Sequence, residues 1–350
     1  MKVLVTGGLG FIGSHTVVSL IENGYDVVIV DNLYNAKMEA LDGIEKITHV
    51  RPKFYKLDCA DVEAMDKLFK EEKFDAIINF AGYKAVGESV KKPLMYYQNN
   101  LDICFALFRA MEKYDVRNFV FSSSATVYGL PDRVPLTEDA PVKSATSPYG
   151  ETKVMIERIL EDMAFVHKDW NIAILRYFNP IGAHKSGLLG EDPNGIPNNL
   201  LPYINKVAVG VLKEVSVYGN DYETVDGTGV RDYIHVCDLA RGHVLALRRL
   251  EANPGLVIYN LGTGKGTSVL EIIKAYEKAT GVKIPYKFAP RRDGDVPINF
   301  AATDKAEEEL GFKCEFNIED ACRDGYNFQK AELARQKAAE EKAKAKSKTL

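Results

Sequence analysis

Tyr149 and Lys153 stand four residues apart in SPYGETK. On a helix that spacing puts a phenol and an ammonium on one face. Ser147 can cap such a helix, and Pro148 suits its first position. A free phenol has a pKa of about 10, so making phenolate at pH 7 costs about 4 kcal/mol. An ammonium about 4 Å away, at an effective dielectric of about 20, contributes attraction of the same order before desolvation is counted. The pair is therefore expected to poise a phenol as general base for a hydroxyl. Upstream, FVFSSSATVYG ends an apolar run with Ser122, Ser123 and Ser124. If that run is a strand of a doubly wound sheet, its carboxyl end lies where such folds bind ligands. Ser124 is then expected to hydrogen-bond the reacting oxygen.

A second constellation opens the chain. In KVLVTGGLGFIGSHTVVSLIENGYDVVIVDN, Gly7, Gly10 and Gly13 lie between a strand-like run and an amphipathic stretch, and the next run ends in Asp31. Gly7 permits the sharp turn, Gly10 close approach to a pyrophosphate, and Gly13 close packing of helix on strand. The helix N-terminus offers N–H groups and partial positive charge to phosphates. Asp31 can accept both hydroxyls of an adenosine ribose and would repel a 2′-phosphate, which favours NAD over NADP. Gly8 has no separate task in this reading.

These residues need a scaffold. The runs KVLVT, DVVIV, FDAIINF, NFVFS and IAILR alternate with helix-length amphipathic stretches, which predicts βαβ units and a parallel sheet. The runs are apolar throughout, as strands covered on both faces should be. The expected fold is α/β: a Rossmann-type doubly wound parallel sheet over residues 1–180, with returning segments near 232–262. A smaller mixed α/β substrate-binding domain is expected over 181–330, and a charged tail, helical or disordered, over 331–350. After Arg176 the chain turns rich in Gly, Pro and Asn, with no strand signal for about 20 residues, and a loop that long is usually functional. PLMYYQNNLDICFALFRAMEKY reads as a long apolar helix, buried on two sides or paired with another subunit.

Composition narrows the classes. The chain has 350 residues, net charge −4, 46% hydrophobic and 27% charged residues. No basic excess exists to neutralise phosphates, so no nucleic-acid partner is expected. No run suggests a membrane span or secretory leader. Five scattered cysteines and six histidines without ligand spacing predict no metal site and a reducing, cytoplasmic compartment.

TGGxGFIG, the terminal Asp31, NFAG, SSSATVYG and YxxxK together resemble the extended short-chain dehydrogenase/reductases. FAGYKAVGESV, SPYGETK, LRYFNPIGAH, GEDPNGIPNNLLPYI, GNDYETVDGTGVRDYIHV and FAPRRDGD resemble, more narrowly, the UDP-glucose 4-epimerase family within them. That resemblance implies reversible inversion at C4, interconverting UDP-galactose and UDP-glucose with NAD held throughout, as in galactose metabolism. In the implied reaction Tyr149 takes the C4 hydroxyl proton while hydride leaves C4 for NAD. The 4-keto sugar turns on its pyrophosphate tether, and hydride returns to the other face. Lys153 lowers the phenol pKa and bonds the nicotinamide ribose, and Ser124 steadies the hydroxyl. The resemblance also places Phe11 and Ile12 over the pyrophosphate, and Asp31, Asn32 and Asn35 at the ribose. It puts Asp58 and Cys59 beside the adenine and Phe80, Ala81, Gly82 and Lys84 at the next strand end, with Asn99 and Phe178 completing the cofactor site. For the nucleotide sugar it implies Ser124, Tyr149, Tyr177, Asn179, Asn199 and Leu200. Tyr218 would hold the uracil, Arg231 and Arg292 the pyrophosphate, and Asp295 the ribose. A homodimer is implied as well.

At Asn299 many members of that family carry a bulky tyrosine, and those that accept N-acetylated sugars carry something small. Asn there predicts that UDP-N-acetylhexosamines are admitted too. Two rivals could be built on the same fold. A nucleotide-sugar dehydratase or decarboxylase would share the glycine loop and the Tyr–Lys pair, but dehydratases of this type carry an Asp-Glu pair after the serine, where this chain has Ala125-Thr126-Val127. A non-catalytic NAD-binding regulator would usually lack Tyr149 or Lys153.

Overall fold

The computed structural model describes residues 1–292 and 294–347. Its first part runs β1 (Lys2–Thr6), α1 (Phe11–Glu22), β2 (Asp26–Val30), α2 (Glu39–Thr48), β3 (Lys53–Tyr55), α3 (Val62–Glu72), β4 (Ala76–Asn79), α4 (Val86–Lys91), α5 (Pro93–Tyr114), β5 (Asn118–Ser124), α6 (Pro148–Val166) and β6 (Asn171–Tyr177). There follow β7 (Asn179–Ile181), α7 (Leu200–Ala208), β8 (Val215–Tyr218), β9 (Val230–Arg231), β10 (Tyr233–His235), α8 (Val236–Leu250) and β11 (Leu256–Leu261). The chain closes with β12 (Thr267–Ser268), α9 (Val269–Thr280), β13 (Tyr286–Ala289), β14 (Ile298–Asn299), α10 (Asp304–Leu310) and α11 (Ile318–Ser347).

Seven strands form one parallel sheet in the order β11-β6-β5-β4-β1-β2-β3. Successive side chains on a strand point to opposite faces, and here both faces are covered. Val3, Val5, Val27, Ile29, Val120 and Leu175 join the core shared with α1 and α8. Leu4, Val28, Val30, Phe119, Phe121 and Ile174 join the core shared with α3, α5 and α6. That is why these runs carry no polar alternation. A third core, with Leu201, Ile204, Val217, Ile273 and Tyr276, gathers α7, β8 and α9 beside the sheet.

Two departures from the sequence reading are local. The stretch after Arg176 is not free of strands: β7 pairs in parallel with β10, and Ala183 bridges Gly190. β7 is only NPI, too short for periodicity to register, and its partner lies far along the chain. The charged tail is also not detached. It is helical, one of its two expected states: α11 starts at Ile318 and buries Phe328 and Gln329 ahead of the tail, and within the tail Arg335 donates to the carbonyl of Gly187 at 3.3 Å. Long side chains can contribute polar contacts where a run has no apolar face to offer. No helix among the described residues is long and apolar enough to cross a membrane.

Candidate active site

The carboxyl ends of β1, β2, β4, β5 and β6 open into one cleft of about 1570 Å³, lined by every candidate residue named above. Drug-sized ligands occupy pockets of roughly 300–1,000 Å³, so this one has room for two nucleotide-sized molecules.

The glycine loop forms one wall. Gly7 has φ +65°, and a Cβ there would lie 2.8 Å from the Ala81 nitrogen. A Cβ on Gly13 would lie 2.3 Å from the Gly7 carbonyl oxygen, so α1 can only approach β1 this closely without a side chain. Gly8, left without a task by sequence, abuts the strands instead: its Cβ would meet Ile29 at 2.9 Å. α1 has no side-chain cap at Gly10 and no acid in its first turn, so its N-terminal N–H groups face an anion freely. Asp31, 7% exposed, accepts from the backbone N–H of Leu9 at 3.1 Å and of Leu33 at 2.8 Å. It therefore also ties the glycine loop to the end of β2. Burial raises its carboxyl pKa, opposed by those two N–H groups. The loop, the uncapped helix and this carboxylate fit a dinucleotide with a free 2′-hydroxyl.

The other predicted cofactor residues border the same half of the cleft: Phe11, Ile12, Asn32, Asn35, Asp58, Ala81, Gly82 and Phe178. Cys59 is buried there, and burial pushes its thiol pKa up, so it serves as a packing group. Asn99 donates to the side-chain carbonyl of Asn100 at 3.1 Å, and Phe80 lies against His243 with ring centroids 4.8 Å apart. Across the cleft, the Arg292 guanidinium sits over the Tyr218 ring at 4.9 Å and donates to Asp295 at 2.8 Å. Arg231 stands 3.8 Å from the same carboxylate. The two arginines, Asp295 and an exposed aromatic ring are thus one cluster. Asn179, Leu200 and Asn299 line the cleft, and the Asn299 side-chain oxygen has no protein partner.

Two predicted residues have surroundings that the sequence did not show. Tyr177 borders the cleft, but its hydroxyl is bonded at 2.7 Å to Nε2 of His243, whose Nδ1 faces the Leu239 carbonyl at 2.8 Å. His243 thus carries its proton on Nδ1 and the Tyr177 hydroxyl donates to Nε2, so that hydroxyl has no proton to give a ligand. The second is Tyr149. Ser147 caps α6 by accepting from the Gly150 N–H at 3.2 Å, and Tyr149 and Lys153 share a face as predicted. Yet the Lys153 ammonium is 5.8 Å from the Tyr149 ring centroid and donates to the Ser122 carbonyl at 2.6 Å. Burial pushes the Tyr149 phenol up to about 12, opposed by a hydrogen bond with Ser124. Burial also brings Lys153 down to about 8, opposed by Cys104 and Glu157. Burial thus opposes the charged form of both groups, an effect that spacing alone does not show.

Sequence reasoning missed Glu191. It is 8% exposed, accepts from Asn199 at 2.7 Å and from Lys84 at 3.3 Å, and so joins the two halves of the cleft. It lay in a Gly/Pro/Asn loop among other polar residues, and nothing local marks it. Phe328 and Arg335 of α11 also reach the cleft.

A family model described as "NAD dependent epimerase/dehydratase family" matches residues 3–262. The chain is 55% identical over 340 residues to a UDP-glucose 4-epimerase of Bacillus subtilis, spanning 97% of this chain and 100% of that one. A solved UDP-glucose-4-epimerase from Stenotrophomonas maltophila, with bound NAD and formylated UDP-arabinopyranose, superposes with a TM-score of 0.93 at 49% identity, covering 96% of this chain and 99% of that one. The enzyme from Bifidobacterium longum, in complex with NAD+ and UDP, gives 0.92 at 53% identity, with 95% and 98% covered.

Proposed function

The chain belongs to the NAD dependent epimerase/dehydratase family, and from that premise we infer that it interconverts UDP-galactose and UDP-glucose by inverting the hexose at C4. The observation that carries this reading is the placement of Tyr149, Lys153 and Ser124 between an NAD-fitting wall and an arginine–aromatic wall of one cleft. NAD bound in that wall supplies a reversible hydride acceptor and a cationic ring.

The chain's own residues do the rest. Ser124 holds the C4 hydroxyl against the Tyr149 phenol, and Tyr149 takes its proton when further positive charge lowers the phenol pKa. Lys153 stays protonated below pH of about 8 and stabilises the phenolate. Arg231 and Arg292 hold the pyrophosphate while Tyr218 stacks on the uracil. Anchoring by the nucleotide leaves the hexose free to turn and present its other face. The proton then returns from Tyr149 to the C4 oxygen.

Elimination is disfavoured, because the residues after Ser124 form a tight 3-10 turn, Ala125–Tyr128, without a carboxylate. Chromatography of UDP-galactose incubated with the protein is expected to show UDP-glucose as the one new sugar nucleotide, in a mixture with remaining UDP-galactose. A 4-keto-6-deoxy product would transfer the reading to a dehydratase.

We extend the proposal to UDP-N-acetylhexosamines. Asn299 is smaller than tyrosine, and its buried oxygen, which has no protein donor, can accept from an acetamido N–H. Turnover of UDP-N-acetylgalactosamine that Asn299→Tyr abolishes is expected; no turnover at saturating substrate removes the idea. The proposal includes a homodimer, for α5 and α6 lie side by side and expose Phe105 and Met155 at 42% and 38%. It places the enzyme in the cytoplasm, where a reducing environment keeps five free thiols unpaired.

A further inference from the structure

The three consecutive serines that end β5 each meet a different residue of α6. Ser124 faces Tyr149, the Ser122 carbonyl accepts from Lys153 at 2.6 Å, and the Ser123 hydroxyl donates to Glu157. Tyr149, Lys153 and Glu157 follow one another at i, i+4 and i+8, so one helix face is matched to one strand end. The first two pairs belong to the chemistry above. The third does not.

Glu157 is 3% exposed and its partner Arg176, on β6, 2%. Arg176 grips it side-on, through Nε at 3.1 Å and one terminal nitrogen at 2.7 Å. The other terminal nitrogen of Arg176 donates to the Tyr128 hydroxyl and the Glu138 carbonyl, each at 3.1 Å. Tyr128 in turn donates to Asn260 of β11 at 2.6 Å. Burying two charges costs more than an apolar pair of the same volume would, unless their geometry and remaining hydrogen bonds are satisfied. Here they are satisfied, and the result is a rigid tie from α6 to β5, β6 and β11. Apolar packing alone would hold α6 with less directional control, and a displacement of about 1 Å at reacting groups can cost about 100-fold in rate.

We propose that Glu157 is a positioning residue for the proton-transfer pair. Through Ser123 and Arg176 it sets the depth at which α6 presents Tyr149 and Lys153, and it places a carboxylate one turn behind the Lys153 ammonium. This rests on reading Tyr149 and Lys153 as that pair. The titratable groups acting on Lys153 are Cys104 from α5 and Glu157 from its own helix, while β5 contributes only the Ser122 carbonyl. Removing the Glu157 charge leaves the Arg176 cation behind, so the ammonium is disfavoured further.

The test uses the full chain as purified, labelled with 13Cε-lysine, with the Lys153 signal assigned by its loss in Lys153→Met. In Glu157→Gln the Lys153 midpoint is expected to fall by about one pH unit, and kcat by about tenfold with KM unchanged. Ser123→Ala removes one hydroxyl and keeps the ion pair, so it decides the matter if Glu157→Gln does not fold. Its kcat is expected to fall several-fold at constant KM. A parental midpoint and kcat in folded Glu157→Gln, or a parental kcat in Ser123→Ala when that variant must decide, overturns the proposal. An unmodified chain inactive on UDP-galactose would instead sink the functional reading, and the Lys153 midpoint would still judge Glu157.

Discussion

At the scale of single residues the central balance is between charge attraction and desolvation at Tyr149. Both partners are displaced towards their neutral forms by burial, Tyr149 to about 12 and Lys153 to about 8. A phenol so protected does not ionise idly. It becomes a base only when ligand charge joins the lysine. Tyr149→Phe should lower kcat by about 10²–10⁴, the range of a lost general base, with UDP binding by calorimetry nearly unchanged. The pH profile should carry the signature of Lys153. Because its ammonium must stay charged, activity should hold below pH of about 8 and decline as pH rises through it. Lys153→Met should lose that alkaline limb along with most of the rate. The YxxxK spacing made the pair legible, since four residues are one helical turn. It could not reveal burial, which depends on what β5 and α5 bring from elsewhere. The same holds for the Tyr177 hydroxyl, which is taken up by His243, a residue 66 positions away.

At the scale of elements, function depends on close seating of two helices on the sheet. α1 is seated by glycine. Gly13→Ala would drive a methyl into the Gly7 carbonyl at 2.3 Å, with only backbone there to give way. The expected result is loss of retained NAD, measured by absorbance of a perchloric acid extract, together with a lower melting temperature. Retention at parental level would show that the loop tolerates the shift. α6 is seated by polar ties to β5 and β6. Such elements were readable because their patterns are long and local: apolar runs on both faces of β1, β2, β5 and β6, a Ser147-Pro148 start, a Gly-rich turn. β7 and β9 were not. Strands of three and two residues have no period, and their pairing is decided by partners far along the chain.

At the scale of the molecule, the parallel sheet and the smaller core beside it meet at one cleft, and α11 reaches across to Gly187. Sequence motifs located both walls, yet the bridge between them through Glu191 emerged only from the fold. The proposed dimer is a statement at this scale too. Phe105→Glu with Met155→Glu should shift sedimentation equilibrium from dimer to monomer; an unchanged mass would place the subunit contact elsewhere. The most direct test of the central claim is proton NMR of the purified protein with UDP-galactose and no added NAD. The anomeric signal of UDP-glucose should grow in, showing C4 inversion and retained cofactor together. If no UDP-glucose signal appears even after NAD is added to the same tube, the assignment of this activity is contradicted.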